Sequence, residues 1–443
     1  MHTAVKTLLN CTILTMDAND TWYPRGYLIV EGNRIAKLGE GSCPSPRGDI
    51  YDLEGKLVMP GLVNTHTHTP SPLFRGMADD LKLMDWLQTL IWPAEKHLTA
   101  EAVYWGTSLA CLEFLENGIT TFADQYFFAD AVAEAVKSSG LRGVLAATVF
   151  SHPSPETDRT LEAAADFVSS YRGREEETRI YPCFGPHAPY SCDASTLREV
   201  AKLAEHYGVL VHIHISETKE ENEKIRAATG LSPTRFLEST GLLDRQVLAA
   251  HCIHLDDQDL GIFREKGVGV SYNPVSNLKL VSGVMPLKRL WEHQVPVGLG
   301  TDGAQSNNSL DLLRDLKTGV LLQKQHEEDP TFCTAREAVR MLTIEGARAL
   351  GMADQIGSLE PGKLADLTVL DLTGSNLQPV HQGLLSNLYS HVTYSAMGAN
   401  VAHVMVDGEF LLYNRIPLRV NRNEVLQKSA HMATKLMQKA GLL

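Results

Sequence analysis

The segment Gly61-Leu62-Val63-Asn64-Thr65-His66-Thr67-His68 passes from a short apolar strand into an alternating pair of histidines. In a strand, side chains i and i+2 share a face, so His66 and His68 can converge on one ion. A lone His-x-His pair is weak evidence, because buried, hydrogen-bonded histidines are ordinary. Its weight depends on what the rest of the chain brings to it. Downstream, short apolar runs recur at Ile119–Ala123, Gly143–Thr148, Ile180–Phe184, Val209–Ile213, Val247–Ala250, Val268–Ser271 and Val297–Gly300. With Gly61–Thr65 they make eight. Helical patterns lie between them, as at Ala100–Asn117, Ala129–Ser139, Asp158–Tyr171 and Ala194–Tyr207, and Gly118, Gly140, Gly208 and Gly267 stand where helices should stop. Eight strand–helix repeats predict a (β/α)₈ TIM-type barrel.

Barrel enzymes carry their chemistry at the C-terminal ends of the strands. Histidines and acids collect there. Strand 4 runs into His187, strand 5 into His212-Ile213-His214-Ile215-Ser216-Glu217, strand 6 into His251-Cys252-Ile253-His254, and strand 8 into Thr301-Asp302. A third histidine from strand 5 and the carboxylate of Asp302 complete a nitrogen–oxygen set suited to zinc or iron(II). His212 and His214 face the same way. His214 is nearer the open end and is the expected ligand, with His212 deeper as a packed or supporting histidine. Glu217 lies on the following loop, within reach for acid–base work, although taken alone it also fits a solvated loop glutamate. Strand 4 offers no lysine for a bridged two-metal site, so one ion is expected. The H-x-E/P-C-x-x-C and H-E-x-x-H signatures are absent, as are a nucleophile elbow and a phosphate loop.

The chain ends have another rhythm. Thr7–Met16, Gly26–Val30 and Lys56–Met59 read as strands, as do Ala365–Leu372 and a hairpin of Val401–Val406 with Gly408–Tyr413 around Asp407-Gly408. The two ends are expected to join in a small β-sandwich domain, residues 1–60 with 356–443, closed by a terminal helix from Asn421. The barrel then spans 61–355. The 443 residues suit that division, and 44% hydrophobic residues provide a large core. No apolar stretch is long enough to span a bilayer, and the N-terminus opens no signal peptide. The seven cysteines are scattered without C-x-x-C, which predicts free thiols and a cytoplasmic protein. The formal net charge of −13 argues against nucleic acid as a partner and mildly against phosphorylated substrates.

The motifs Pro60-Gly61-Leu62-Val63-Asn64-Thr65-His66-Thr67-His68, His212-Ile213-His214-Ile215-Ser216-Glu217, Ala250-His251-Cys252 and Gly300-Thr301-Asp302-Gly303 resemble those of the amidohydrolase superfamily. Further segments make the chain most similar to the 5′-methylthioadenosine/S-adenosylhomocysteine deaminases. They are Leu73-Phe74-Arg75-Gly76, Asp85-Trp86-Leu87, Trp92-Pro93-Ala94-Glu95, Gly185-Pro186-His187-Ala188-Pro189-Tyr190 and the run from Gly300 through Ser306 to Asn308. The likeness covers nearly the whole chain, although triazine and guanine hydrolases share much of it. It implies a zinc ion on His66, His68, His214 and Asp302, with proton transfer by Glu217, His251 and Asp302. It also implies a purine nucleoside held by Trp86, Glu95, His187, Glu217, Asp302 and Ser306, and it is compatible with a homo-oligomer. Glu95 can accept hydrogen bonds from both ribose hydroxyls; on sequence alone it fits a surface residue before a helix equally well. Trp86 can cover a 5′-thioether or simply pack in a core.

One departure bears on the substrate. Relatives acting on S-adenosylhomocysteine carry arginines after strand 3, where this chain reads Ala147-Thr148-Val149-Phe150-Ser151-His152-Pro153 and only Arg159 matches. Methylthioadenosine is therefore favoured over S-adenosylhomocysteine. The rival expectations are hydrolysis of adenosine, guanine or a chlorotriazine at the same site, and, from another class, a non-catalytic metal-binding barrel. The last would have lost a proton-transfer group, yet Glu217, His251 and Asp302 all stand.

Overall fold

The computed structural model describes residues 4–77, 80–81, 85, 87–152, 160–381 and 385–443. Eight strands form one sheet in sequential order: β1 (Leu62–Thr67), β2 (Ile119–Tyr126), β3 (Arg142–Val149), β4 (Ile180–Pro186), β5 (Val211–Ile215), β6 (Val247–His251), β7 (Gly269–Tyr272) and β8 (Val297–Leu299). All residues of β1, β2, β3 and β5 are buried, the mark of parallel strands covered on both faces. The pairings from β3 to β4 and from β5 through β8 are parallel, with His214 opposite Ala250 and Ile215 opposite His251. Past the last strand, the Asp302 N–H donates to the carbonyl of His66 at 2.9 Å. That bond brings the end of β8 to the end of β1, as a barrel requires.

The helices stop where the sequence predicts. Gly140, Gly208 and Gly267 follow Ala129–Ser139, Ala194–Tyr207 and Asp257–Lys266 with φ of 80°, 63° and 66°. Those left-handed values suit glycine, and the N–H groups there cap the preceding turn.

The chain ends build a nine-stranded sheet. Val5–Leu14 pairs antiparallel with Trp22–Glu31 and parallel with Lys56–Pro60, which pairs antiparallel with Leu367–Asp371. Thus the N-terminal strands meet the C-terminal ones directly. Side chains from both chain ends share one core, in which Leu8, Ile13, Leu28 and Val30 cluster with Val369, Met405 and Phe410. The hairpin turns at Asp407 (φ 55°) and Gly408 (φ 75°), two consecutive left-handed residues as a two-residue I′ turn demands.

By compactness the chain divides into Met1–Asn64, Glu113–Thr121 and Asp311–Arg419 as one unit, and Thr65–Leu112, Phe122–Leu310 and Val420–Leu443 as the other. This grouping differs from the expected boundaries: residues 61–64 and Glu113–Thr121 fall in the first unit, and two larger shifts concern helices. The helix Arg422–Lys439 joins the second unit, burying Val425, Met432, Leu436 and Met437 and setting Lys428 5.8 Å from the Trp105 ring. Helices after Asp311 join the first unit, where Asp311 accepts from the Gly398 N–H (3.0 Å) and Thr393 donates to the Ala335 carbonyl (3.1 Å). An amphipathic pattern reveals that a helix docks, not on what. Among the described residues no helix is long and apolar enough to cross a membrane.

Candidate active site

A cavity of about 520 Å³ opens at the strand ends, a volume typical of small-molecule sites. His68, Glu95, His187, His214, Glu217, His251, Asp302 and Ser306 all line it. Trp86 and Arg159 lie outside the described residues.

Two overlapping clusters of ligating atoms sit at its base: His66, His68 and His214, and His66, His251 and Asp302, the atoms of each within 4.8 Å of one another. Nε2 of His66 and of His68 lie 3.5 and 3.4 Å from the same Asp302 Oδ1. The outer nitrogens are tied back. His68 Nδ1 donates to the Gln125 carbonyl (2.7 Å), and His214 Nδ1 to the His187 carbonyl (2.8 Å). His66 Nδ1 meets His212 Nε2 at 2.8 Å, so His212 supports His66 from beneath. Assigned from their carbonyl partners, the protons of His68 and His214 sit on Nδ1, leaving Nε2 lone pairs toward the cluster, and His66 presents its Nε2 to Asp302 there as well. Three imidazole nitrogens and one carboxylate form a donor set that fits zinc.

Burial is the largest cause of the histidine shifts. It drives His66 down to about 4 against the pull of Asp302, and holds His212 and His214 well below the usual histidine range. For Asp302 burial acts upward, but His66, His68 and His251 outweigh it and keep the carboxyl well below its usual range. Neutral imidazoles beside an ionised carboxylate are the protonation states a metal ion requires.

His251 is held differently. Its Nδ1 accepts from Asn277 Nδ2 at 2.8 Å, which puts the ring proton on Nε2. That Nε2 lies 3.8 Å from Glu217 Oε2. Asp302 Oδ2 accepts from Ser276 Oγ (2.6 Å) and Ser306 Oγ (3.2 Å), so the Ser306 hydroxyl engages Asp302 as well as bordering the cavity. Ser216 (φ 53°), His251 (φ 72°), Cys252 (φ 52°) and Asp302 (φ 60°) have left-handed backbones without being glycine. Such strained residues concentrate at functional sites.

Glu95 Oε1 accepts from the Tyr126 hydroxyl at 2.8 Å. His187 stacks on Phe150, centroids 4.8 Å apart, and its Nδ1 bonds Ser191 Oγ at 2.9 Å. Several contributors escape a search for histidines and acids. Tyr126, Phe150, Ser276 and Asn277 were not singled out by sequence. Asn273-Pro274-Val275-Ser276-Asn277 follows β7 directly, so position at a strand end was the available signal.

A sequence profile described as the amidohydrolase family matches residues 57–411. Over 432 residues the chain is 40% identical to a 5-methylthioadenosine/S-adenosylhomocysteine deaminase of Syntrophomonas wolfei, covering 97% of this chain and 99% of that protein. It is 41% identical over 408 residues to a 5′-deoxyadenosine deaminase of Methanocaldococcus jannaschii, covering 91% and 95%. Among solved structures, an adenosine deaminase from Xanthomonas campestris with bound zinc superposes with a TM-score of 0.92 at 32% identity, covering 98% of this chain and 99% of that one. With the barrel, the strand-end histidines and Asp302 already in view, the match across most of the sequence leaves one conclusion: this chain belongs to the amidohydrolase family.

Proposed function

We propose that the chain is a zinc-dependent hydrolytic deaminase of purine nucleosides, converting 5′-methylthioadenosine to methylthioinosine and ammonia. The observation that carries this reading is the pairing of Glu217 with His251, 3.8 Å apart, beside the histidine–aspartate cluster in a cavity that also holds Glu95. The names of the related deaminases support it.

His66, His68, His214 and Asp302 would hold one zinc ion. When bound, such an ion lowers the pKa of water toward neutral and so supplies a nucleophile at physiological pH. Asp302, kept ionised by its surroundings, accepts a proton from the attacking water. His251, with its proton on Nε2, donates to the oxygen adding at C6 of the purine. Glu217 delivers a proton to N1, which makes C6 electrophilic; the proton taken up by Asp302 then passes to the amino group, which leaves as ammonia, while Glu217 takes back the C6 hydroxyl proton as the C6 carbonyl forms. Glu95 accepts from the ribose hydroxyls, His187 and Ser306 line the nucleoside site, and by resemblance alone Trp86 is assigned to the 5′-thioether. Tyr126, Phe127 and Phe150 in the lining suit an apolar 5′ substituent, which supports methylthioadenosine over S-adenosylhomocysteine.

The direct test is ammonia release from methylthioadenosine, adenosine, S-adenosylhomocysteine and guanine. The highest kcat/KM is expected for methylthioadenosine; turnover of guanine alone would overturn the nucleoside reading. Glu95→Ala should lower kcat/KM for the nucleoside by about 10- to 100-fold, since it removes hydrogen bonds to a charged acceptor. Turnover of a free base, which has no ribose, should change little. Equal losses on both substrates would remove Glu95 from ribose binding.

We also infer a cytoplasmic setting and a small-molecule partner rather than nucleic acid. Seven free cysteines, all but Cys43 buried, and the net charge of −13 support this. A homo-oligomer belongs to the same reading, by resemblance alone.

A further inference from the structure

We propose that Glu221 is a positioning residue for the proton-transfer step, its buried carboxylate holding the backbone turn that aims Glu217 at the substrate. The inference rests on the role of Glu217 proposed above.

The chain must turn sharply after β5. Ser216 takes a left-handed conformation there (φ 53°), and Glu217 follows it out of the barrel. Nothing in the sequence of this turn makes that conformation cheap, because serine has a Cβ that crowds it. The compensation comes from the next helix, Lys219–Thr229. Glu221 sits in its first turn, only 5% exposed, and reaches back over the helix start. Its Oε1 accepts from the Ser216 N–H at 3.0 Å and its Oε2 from the Glu217 N–H at 2.8 Å. One carboxylate therefore grips two consecutive amides at the point where Glu217 leaves the strand. Burial raises the Glu221 pKa to about 7, while the Glu217 and Ser216 amides pull it down. A carboxyl buried this deeply persists where its partners fix it.

The same turn is braced from the other side. Ser216 Oγ donates to Asn222 Oδ1 (3.0 Å), and Asn222 Nδ2 donates to the His254 carbonyl (2.7 Å). The Ser216 carbonyl accepts from the N–H groups of Ile253 and His254, each at 3.0 Å, and the Ile215 carbonyl accepts from Cys252 N–H at 3.0 Å. The turn bearing Glu217 is thus locked to the turn bearing His251. His254 Nε2 donates to the Ser282 carbonyl (2.8 Å), and the Ser282 hydroxyl reaches Glu217 Oε1 at 3.4 Å. Glu221 is not among the residues that line the cavity. It acts through the place it gives Glu217, where a displacement of about 1 Å can lower turnover by about 10²-fold.

The test is a double-mutant cycle on the zinc-loaded full-length protein. Glu221→Gln sets an NH₂ against one of the two amide donors and loosens the grip. We expect kcat to fall by about 10- to 100-fold with KM changed less than about threefold and zinc content unchanged. In a Glu217→Gln background the same substitution should lower kcat by less than about twofold, because the group it aims is already disabled. A purely structural Glu221 would lower kcat equally in both backgrounds, and that result overturns the proposal. So does a Glu221→Gln enzyme with kcat within about threefold of the parent. Glu221→Asp, which keeps the charge and shortens the arm, is read by the same two criteria should the glutamine variant fail to fold. Full activity of Glu217→Gln alone overturns the proposed role of Glu217 instead, so the two failures are told apart.

Discussion

Glu217→Gln is expected to lower kcat for methylthioadenosine by about 10²–10⁴-fold while zinc content stays that of the parent enzyme. The amide keeps the size and reach of the carboxyl and can still donate to a ring nitrogen. What it loses is the ability to give up a proton and take one back. Glu217 lies 3.8 Å from His251 and meets the Ser282 hydroxyl, so the substitution leaves its neighbours in place. It lies outside both ligand clusters, so the metal should remain. Steady-state kinetics paired with metal analysis on the same sample read both quantities. A variant retaining more than about a tenth of parental kcat would remove Glu217 from general acid–base work.

Asp302→Asn should be more damaging, lowering kcat by at least about 10³-fold, because it removes a proton acceptor and a negative ligand at once. The side chain is nearly the same shape, and the donors around it remain: the Ser276 and Ser306 hydroxyls and the Gly303 N–H. Protein stability should therefore change less than activity. Zinc affinity should weaken as well, since a neutral amide oxygen is a poorer ligand than a carboxylate. Dialysis against a chelator followed by measured zinc return separates the two losses. Saturating zinc should restore the occupancy of Asp302→Asn but not its turnover. Recovery of parental kcat at full occupancy would leave Asp302 as a ligand only.

The barrel is legible in the sequence because its strands are buried on both faces and announce themselves as short apolar runs with glycine-stopped helices between them. The ligand-type residues are legible because imidazoles and carboxylates at strand ends have few other reasons to gather. His214 over His212 could be reasoned from depth alone, and the structure has His212 bonded to His66 from beneath. Other parts were hidden for physical reasons. Ser276 and Asn277 are neutral polar residues that look like ordinary loop composition, yet one holds Asp302 and the other sets the His251 tautomer. Thr218 caps the helix through the Glu221 N–H, an ordinary local pattern; that the Glu221 carboxylate grips the Ser216 and Glu217 amides depends on where the preceding strand ends. The grouping of the terminal helix depends on which surface receives its apolar face, a fact not encoded locally.

The left-handed residues at the ends of β5, β6 and β8 have a consequence for engineering. Ser216, His251, Cys252 and Asp302 each hold a conformation disfavoured by about 1–2 kcal/mol for a residue with a Cβ. Together that approaches the whole net stability of a typical domain. Three of the four cannot be relaxed without disturbing a proton-transfer group or the turn that carries one. A programme to make a heat-tolerant variant should therefore leave the mouth of the barrel alone. It should work on the nine-stranded sheet of the chain ends, where better packing around Val30 and Met405 can add cohesion without slackening the catalytic rim.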